Sequence, residues 1–134
     1  MRKALTLGFI LVLIFPTLAA EQKESRTAPN VVKVGNPAPG NAPTKEVEVS
    51  ARKYEYTPGV IEVPINTLVK IHLQAVDREH GFEMKSFKDS CVKFKPNEPA
   101  IVEFYADKTG EYEFNCCKFC GLGHGKMKGK LVVK

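Results

Sequence analysis

Val69-Lys70-Ile71-His72-Leu73-Gln74 alternates apolar and polar side chains without a break. Successive side chains of a strand point to opposite faces, so this stretch buries Val69, Ile71 and Leu73 and leaves Lys70, His72 and Gln74 toward solvent. Upstream, Val47, Val49 and Ala51 repeat the pattern between charged or polar neighbours. Shorter strand-like runs follow at residues 60–63, 91–94, 101–105, 112–115 and 130–133. Turn signals separate them, among them Thr57-Pro58-Gly59, Pro96-Asn97 and Lys108-Thr109-Gly110. No segment carries an apolar stripe of period 3.6. About seven short strands at this spacing, with almost no helix, predict an all-β, Greek-key β-sandwich.

Around this core the chain divides into three. Arg2 and Lys3 precede an apolar run from Leu5 to Phe15, which Pro16 ends before Thr17, Leu18, Ala19 and Ala20. Residues 1–20 therefore read as a signal peptide or an N-terminal membrane anchor, with residues 5–20 as the tether in the second case. Either places the remainder outside the cytoplasmic membrane, in the periplasm or its equivalent. Residues 21–45 turn polar and carry Pro29, Pro37, Pro39 and Pro43, as expected of a flexible linker. Val31, Val32 and Val34 leave open a short edge strand there. Residues 46–134 form the domain. Its roughly 90 residues bury only about 60 to 65% of the unfolded surface, so a metal or cross-link would matter to its stability.

The 134 residues include 20 Lys+Arg and 15 Asp+Glu, a formal charge of +5. Loss of residues 1–20 removes Arg2 and Lys3 and no acid, leaving +3, too little to argue nucleic-acid binding. From Cys116 onward the chain carries Lys118, Lys126, Lys128, Lys130 and Lys134 and no acidic residue. Such a cluster either steers an acidic partner or forms a soluble rim.

Chemistry concentrates in Cys116-Cys117-Lys118-Phe119-Cys120-Gly121-Leu122-Gly123-His124-Gly125-Lys126-Met127. Cys116, Cys120, His124 and Met127 stand at i, i+4, i+8 and i+11, and thiolate with thioether is a soft set that favours copper. The glycines disfavour a helix, so a loop between two strands must fold these ligands onto one centre. A second imidazole, His80, follows Asp77 just after the strand that ends near Val76.

With these residues the chain resembles the cupredoxins, and among them the dinuclear CuA domains of cytochrome c oxidase subunit II and nitrous oxide reductase. The shared pattern is CxxxCxxxHxxM with an upstream His, and it covers about residues 46–134. The resemblance implies a cupredoxin-like fold, with Cys116 and Cys120 bridging two copper ions and His80 and His124 each completing one. Met127 would be a weak axial ligand and the Lys118 carbonyl the other; the family usually has Glu at that position. It also implies one-electron transfer without catalysis, to or from a redox partner such as a c-type cytochrome or a terminal oxidase or reductase. The chain departs from subunit II in having one N-terminal apolar segment and no Trp, so a stand-alone exported domain is expected rather than an oxidase core subunit.

Other readings of the same residues stay open. One copper held by His80, Cys120, His124 and Met127 is a type 1 arrangement, and the surplus thiols also suit copper storage or delivery. Cys116 and Cys120 can form a disulfide or exchange thiols. A zinc site of two Cys and two His leaves Met127 without a role. Cys91 and Cys117 are either bridged or free. Met84 is assigned to core filling, as are Tyr54, Tyr56, Phe94, Phe104, Tyr112 and Phe114.

Overall fold

A computed structural model describes residues 28–134. The signal or anchor expected over residues 1–20 lies outside the described residues; among the described residues no helix is long and apolar enough to cross a membrane. Ten strands form two mixed five-stranded sheets. The first has the order β1 (Asn30–Val34), β8 (Ala100–Ala106), β5 (Thr67–Ala75), β2 (Thr44–Arg52), β3 (Glu55–Thr57). The second runs β4 (Val60–Val63), β10 (Lys128–Val133), β9 (Gly110–Asn115), β6 (His80–Met84), β7 (Val92–Phe94). The β-sandwich expected from the alternation is therefore the observed fold.

β5 is the clearest case of sequence dictating structure. Val69, Ile71 and Leu73 are fully buried, whereas Lys70 and His72 are only half-buried and Gln74 is exposed. The strand sits at the centre of its sheet, parallel to β2 and antiparallel to β8. Each such side chain contributes about 1.5–3 kcal/mol by leaving water.

Three elements sharpen the sequence reading. The edge strand left open at the valines 31, 32 and 34 does form, paired parallel to β8 with Val32 opposite Val102, within the proline-bearing stretch. β2 begins at Thr44, two residues before the expected domain start. His80, placed by the sequence only just after a strand, begins a strand of its own, β6.

That last difference positions the site. On β6 the side chains of His80, Phe82 and Met84 share one face, and on β9 and its continuation Phe114 and Cys116 do likewise. Phe82 stacks on Phe114 at 4.8 Å between ring centroids, and Tyr56 meets both edge-on at 5.9 and 5.3 Å. These rings are buried core, so packing fixes the two backbones that carry His80 and Cys116. Met84 joins the same core, as expected. Tyr54 does not: it is 36% exposed and leaves the core for the loop that follows β9.

Candidate metal centre

His80, Cys116 and Cys120 are buried and bring their ligand atoms within 4.8 Å of one another. The Cys116 and Cys120 sulfurs stand 3.8 Å apart and neither is in a disulfide. Met127 is buried with its Sδ 3.8 Å from Cys120 Sγ. His124, half-buried, reaches Cys120 Sγ with Nδ1 at 3.8 Å. The Lys118 carbonyl oxygen lies 3.0 Å from Cys116 Sγ, while its ammonium turns away to Glu79 at 3.3 Å. All six sequence-derived site residues thus converge on one end of the sandwich.

The loop reaches this arrangement through backbone bonds at its base and tip. The Cys116 N–H donates to the Met127 carbonyl at 3.1 Å, which brings the first and last candidate ligands side by side. A single 3₁₀ turn at His124–Lys126 closes the tip, with His124 N–H bonded to the Gly121 carbonyl at 3.0 Å. The Tyr54 ring lies where a side chain at Gly123 would stand. Only glycine lets the loop pass beneath that ring.

His80 is held by the strand and by a carboxylate. Its Nε2 lies 2.7 Å from Asp77 Oδ1, and Asp77 Oδ2 accepts the Lys53 N–H at 2.9 Å. Burial pushes the Asp77 carboxyl up, but the bonds from His80 and Lys53 outweigh it and hold the group below the usual carboxylate range. A carboxylate on Nε2 keeps the proton there and leaves Nδ1 as a lone pair. That Nδ1 is buried with no hydrogen-bond partner. Leaving such an atom unsatisfied costs about 1–3 kcal/mol, a cost that metal ligation removes.

Sulfur chemistry points the same way. Burial, followed by the neighbouring Cys116, pushes the Cys120 thiol up to about 11. The Cys120 thiol therefore holds its proton, and binding a metal there requires the loss of that proton. The Gly81 N–H donates to Cys116 Sγ at 3.3 Å. Tyr56, whose hydroxyl donates to the Gly81 carbonyl at 2.6 Å, packs beside the same sulfur. Burial and then the Cys116 charge push its phenol far above the ordinary range. The residues present therefore fit a soft cation: two sulfurs, a thioether, a free imidazole nitrogen and a backbone oxygen.

Cys91 and Cys117, left open by the sequence, form a disulfide with Cα atoms 6.0 Å apart. Cys117 sits between Cys116 and Lys118, and its sulfur lies against Gly81. A Cβ on Gly81 would stand 2.6 Å from Cys117 Sγ. Nothing in the local spacing marks this pair, because its partners are 26 residues apart. Tyr54 and Tyr56 were equally invisible as neighbours of the site, since aromatic residues in strands read first as core.

Comparison with known proteins agrees with this geometry. Residues 5–133 match the family described as a cupredoxin-like domain. Cytochrome c oxidase subunit 2 of Thermus thermophilus is 35% identical over 88 residues, covering 66% of this chain and 64% of that protein. The nitrous-oxide reductase of Ralstonia nicotianae is 31% identical over 121 residues, 90% of this chain but 17% of the reductase. The chain thus spans less than two thirds of the length of these relatives. Among solved structures, a heme-copper terminal oxidase dimer contains a chain that superposes with a TM-score of 0.61 at 25% identity, over 79% of this chain and 78% of that one. The chain belongs to the cupredoxin-like family, and its domain is similar to those of oxidase subunit 2 and nitrous-oxide reductase.

Proposed function

We propose that this domain holds copper in a dinuclear, CuA-like centre and passes single electrons between partner proteins outside the cytoplasmic membrane. The observation that carries this reading is the pair of free, buried sulfurs 3.8 Å apart, with the orphaned His80 Nδ1 beside them. Cys116 and Cys120 would be shared by both ions, and His80 and His124 would each serve one. Met127 Sδ and the Lys118 carbonyl would be the weaker donors. Bound copper supplies reversible one-electron chemistry with such ligands. The protein supplies rigidity: ligands on β6 and at the end of β9, backed by the Phe82, Phe114 and Tyr56 rings, move little when charge changes. His124, half-buried and 5.8 Å from the exposed Phe119 ring, offers a way for an electron to reach the surface. The redox partner by this reading is a c-type cytochrome or a terminal oxidase or reductase.

Anaerobic copper loading tests the proposal. The expected product holds two copper ions per chain and has a purple, mixed-valence spectrum with coupling to both nuclei. A blue spectrum with one copper per chain would replace it with the mononuclear site. Rapid surrender of Cu(I) without reversible redox cycling would replace it with copper delivery.

Asp77→Asn should lower copper affinity by about 10- to 100-fold, because the amide no longer fixes the His80 tautomer. Titration against a chromogenic Cu(I) chelator measures this directly. Equal affinities would mean that packing alone orients His80.

A further inference from the structure

Tyr56 is the middle residue of β3, whose three side chains alternate exposed, buried, exposed. It turns inward against Phe82 and Phe114, in an apolar cluster where phenylalanine would fill the same space. A buried phenol costs stability unless its hydroxyl finds a partner. Here the hydroxyl donates to the Gly81 carbonyl at 2.6 Å.

Gly81 stands where one strand pairing gives way to the candidate centre. β6 pairs with β9 at Glu83 and Met84, and β7 runs along its opposite edge. Past Glu83 the chain that continues β9 presents Cys116, and the Gly81 N–H donates to Cys116 Sγ at 3.3 Å. The N–H and carbonyl of one strand residue point to the same side, so a partner that holds the carbonyl also aims the amide. Gly81 has no side chain to stiffen it and can carry none. A Cβ there would stand 2.6 Å from Cys117 Sγ and 2.7 Å from the Lys118 nitrogen. Glycine has the widest backbone freedom of any residue, and the Tyr56 hydroxyl restrains it from outside.

We propose that Tyr56 is a positioning residue that acts through Gly81, aiming the Gly81 N–H at Cys116 and so setting the charge on that one of the two free sulfurs. The inference rests on the copper reading and adds to it a residue that tunes the centre. A hydrogen bond to a ligating thiolate draws electron density from the sulfur and favours the reduced, more electron-rich metal. The Gly81 bond is made to Cys116 and not to Cys120, so the two bridging sulfurs would carry unequal charge.

Tyr56→Phe removes one oxygen and keeps the ring, and it is read in two states of the chain. In the copper-free, reduced chain, hydrogen exchange followed by NMR should show the Gly81 amide exchanging about 3- to 10-fold faster than in the native chain. In the copper-loaded chain the preference for the reduced metal should fall by a similar factor, a tenfold fall being about 59 mV in potential for one electron. The sulfur-to-copper absorption bands should move with it. Tyr112→Phe makes the same change on a hydroxyl bonded to the Lys108 carbonyl near the start of β9, and should alter none of these readings. An unchanged Gly81 amide in Tyr56→Phe would overturn the proposal and leave the copper reading standing. So would a two-copper centre whose potential and absorption match the native ones, or an equal change in Tyr112→Phe. A faster Gly81 amide beside a one-copper site of unmoved potential sustains the positioning role and defeats the two-copper reading, because Cys116 would then not be a ligand.

Discussion

Cys116→Ser is expected to abolish the two-copper spectrum and leave at most one ion per chain. The two sulfurs occupy different surroundings. Cys116 accepts the Gly81 N–H and faces the Lys118 carbonyl, whereas Cys120 lies 3.8 Å from both Met127 Sδ and His124 Nδ1. A centre with two ions needs both sulfurs as bridges. A single ion is already served by Cys120, His124, Met127 and His80. Serine offers a hard, largely protonated hydroxyl where a soft thiolate is required, so the dinuclear site cannot survive and a mononuclear one would scarcely notice. Metal stoichiometry and EPR hyperfine structure read the result. An unchanged blue spectrum with one copper would sink the dinuclear proposal. Amide NMR of the variant shows that the fold persists, because the Phe82, Phe114 and Tyr56 cluster does not involve the serine.

What could be read from the sequence follows from how one-sided each element is. β5 and β2 announce themselves because one face is core and the other is wet. β6 hides because Gly81 is buried along with His80, Phe82 and Met84, leaving Glu83 as its one partly exposed residue. No alternation survives to mark it. β3 has three residues, too few for a pattern, and β1 lies among prolines that argue for a spacer. The candidate centre was legible where its geometry is local. Residues 116–127 form one loop closed by one backbone bond, so spacing along the chain becomes proximity in space. His80 was legible as a second imidazole near a strand end, and its role as a ligand through family resemblance. Tyr54 over the loop glycines and Cys117 against Gly81 are contacts between segments distant in sequence, and only the fold brings them together.

The Cys91–Cys117 bridge should matter most to stability. Reduction, or Cys91→Ser with Cys117→Ser, opens a loop of 26 residues in sequence separation. The chain-entropy model gives about 3.5 kcal/mol for a loop of that size, through added freedom of the unfolded state. For a domain of this size each kcal/mol moves the melting temperature by about 4–8 °C, so a fall of about 14–28 °C is expected. Small domains have little stability in reserve, and the bridge ties the start of β7 to the segment holding Cys116 and Lys118. The double variant should therefore also load copper more weakly, since the segment between those two donors has lost its anchor. Thermal melting followed by circular dichroism, with and without reductant, gives the first number. The reduced native chain should converge on the double variant. A melting temperature within a few degrees of the native value would show that packing against Gly81 holds this segment without the bridge. Single variants should load copper less well than the double one, because each leaves a third thiol close in sequence or space to Cys116 and Cys120, free to pair with either and remove a sulfur that the metal needs.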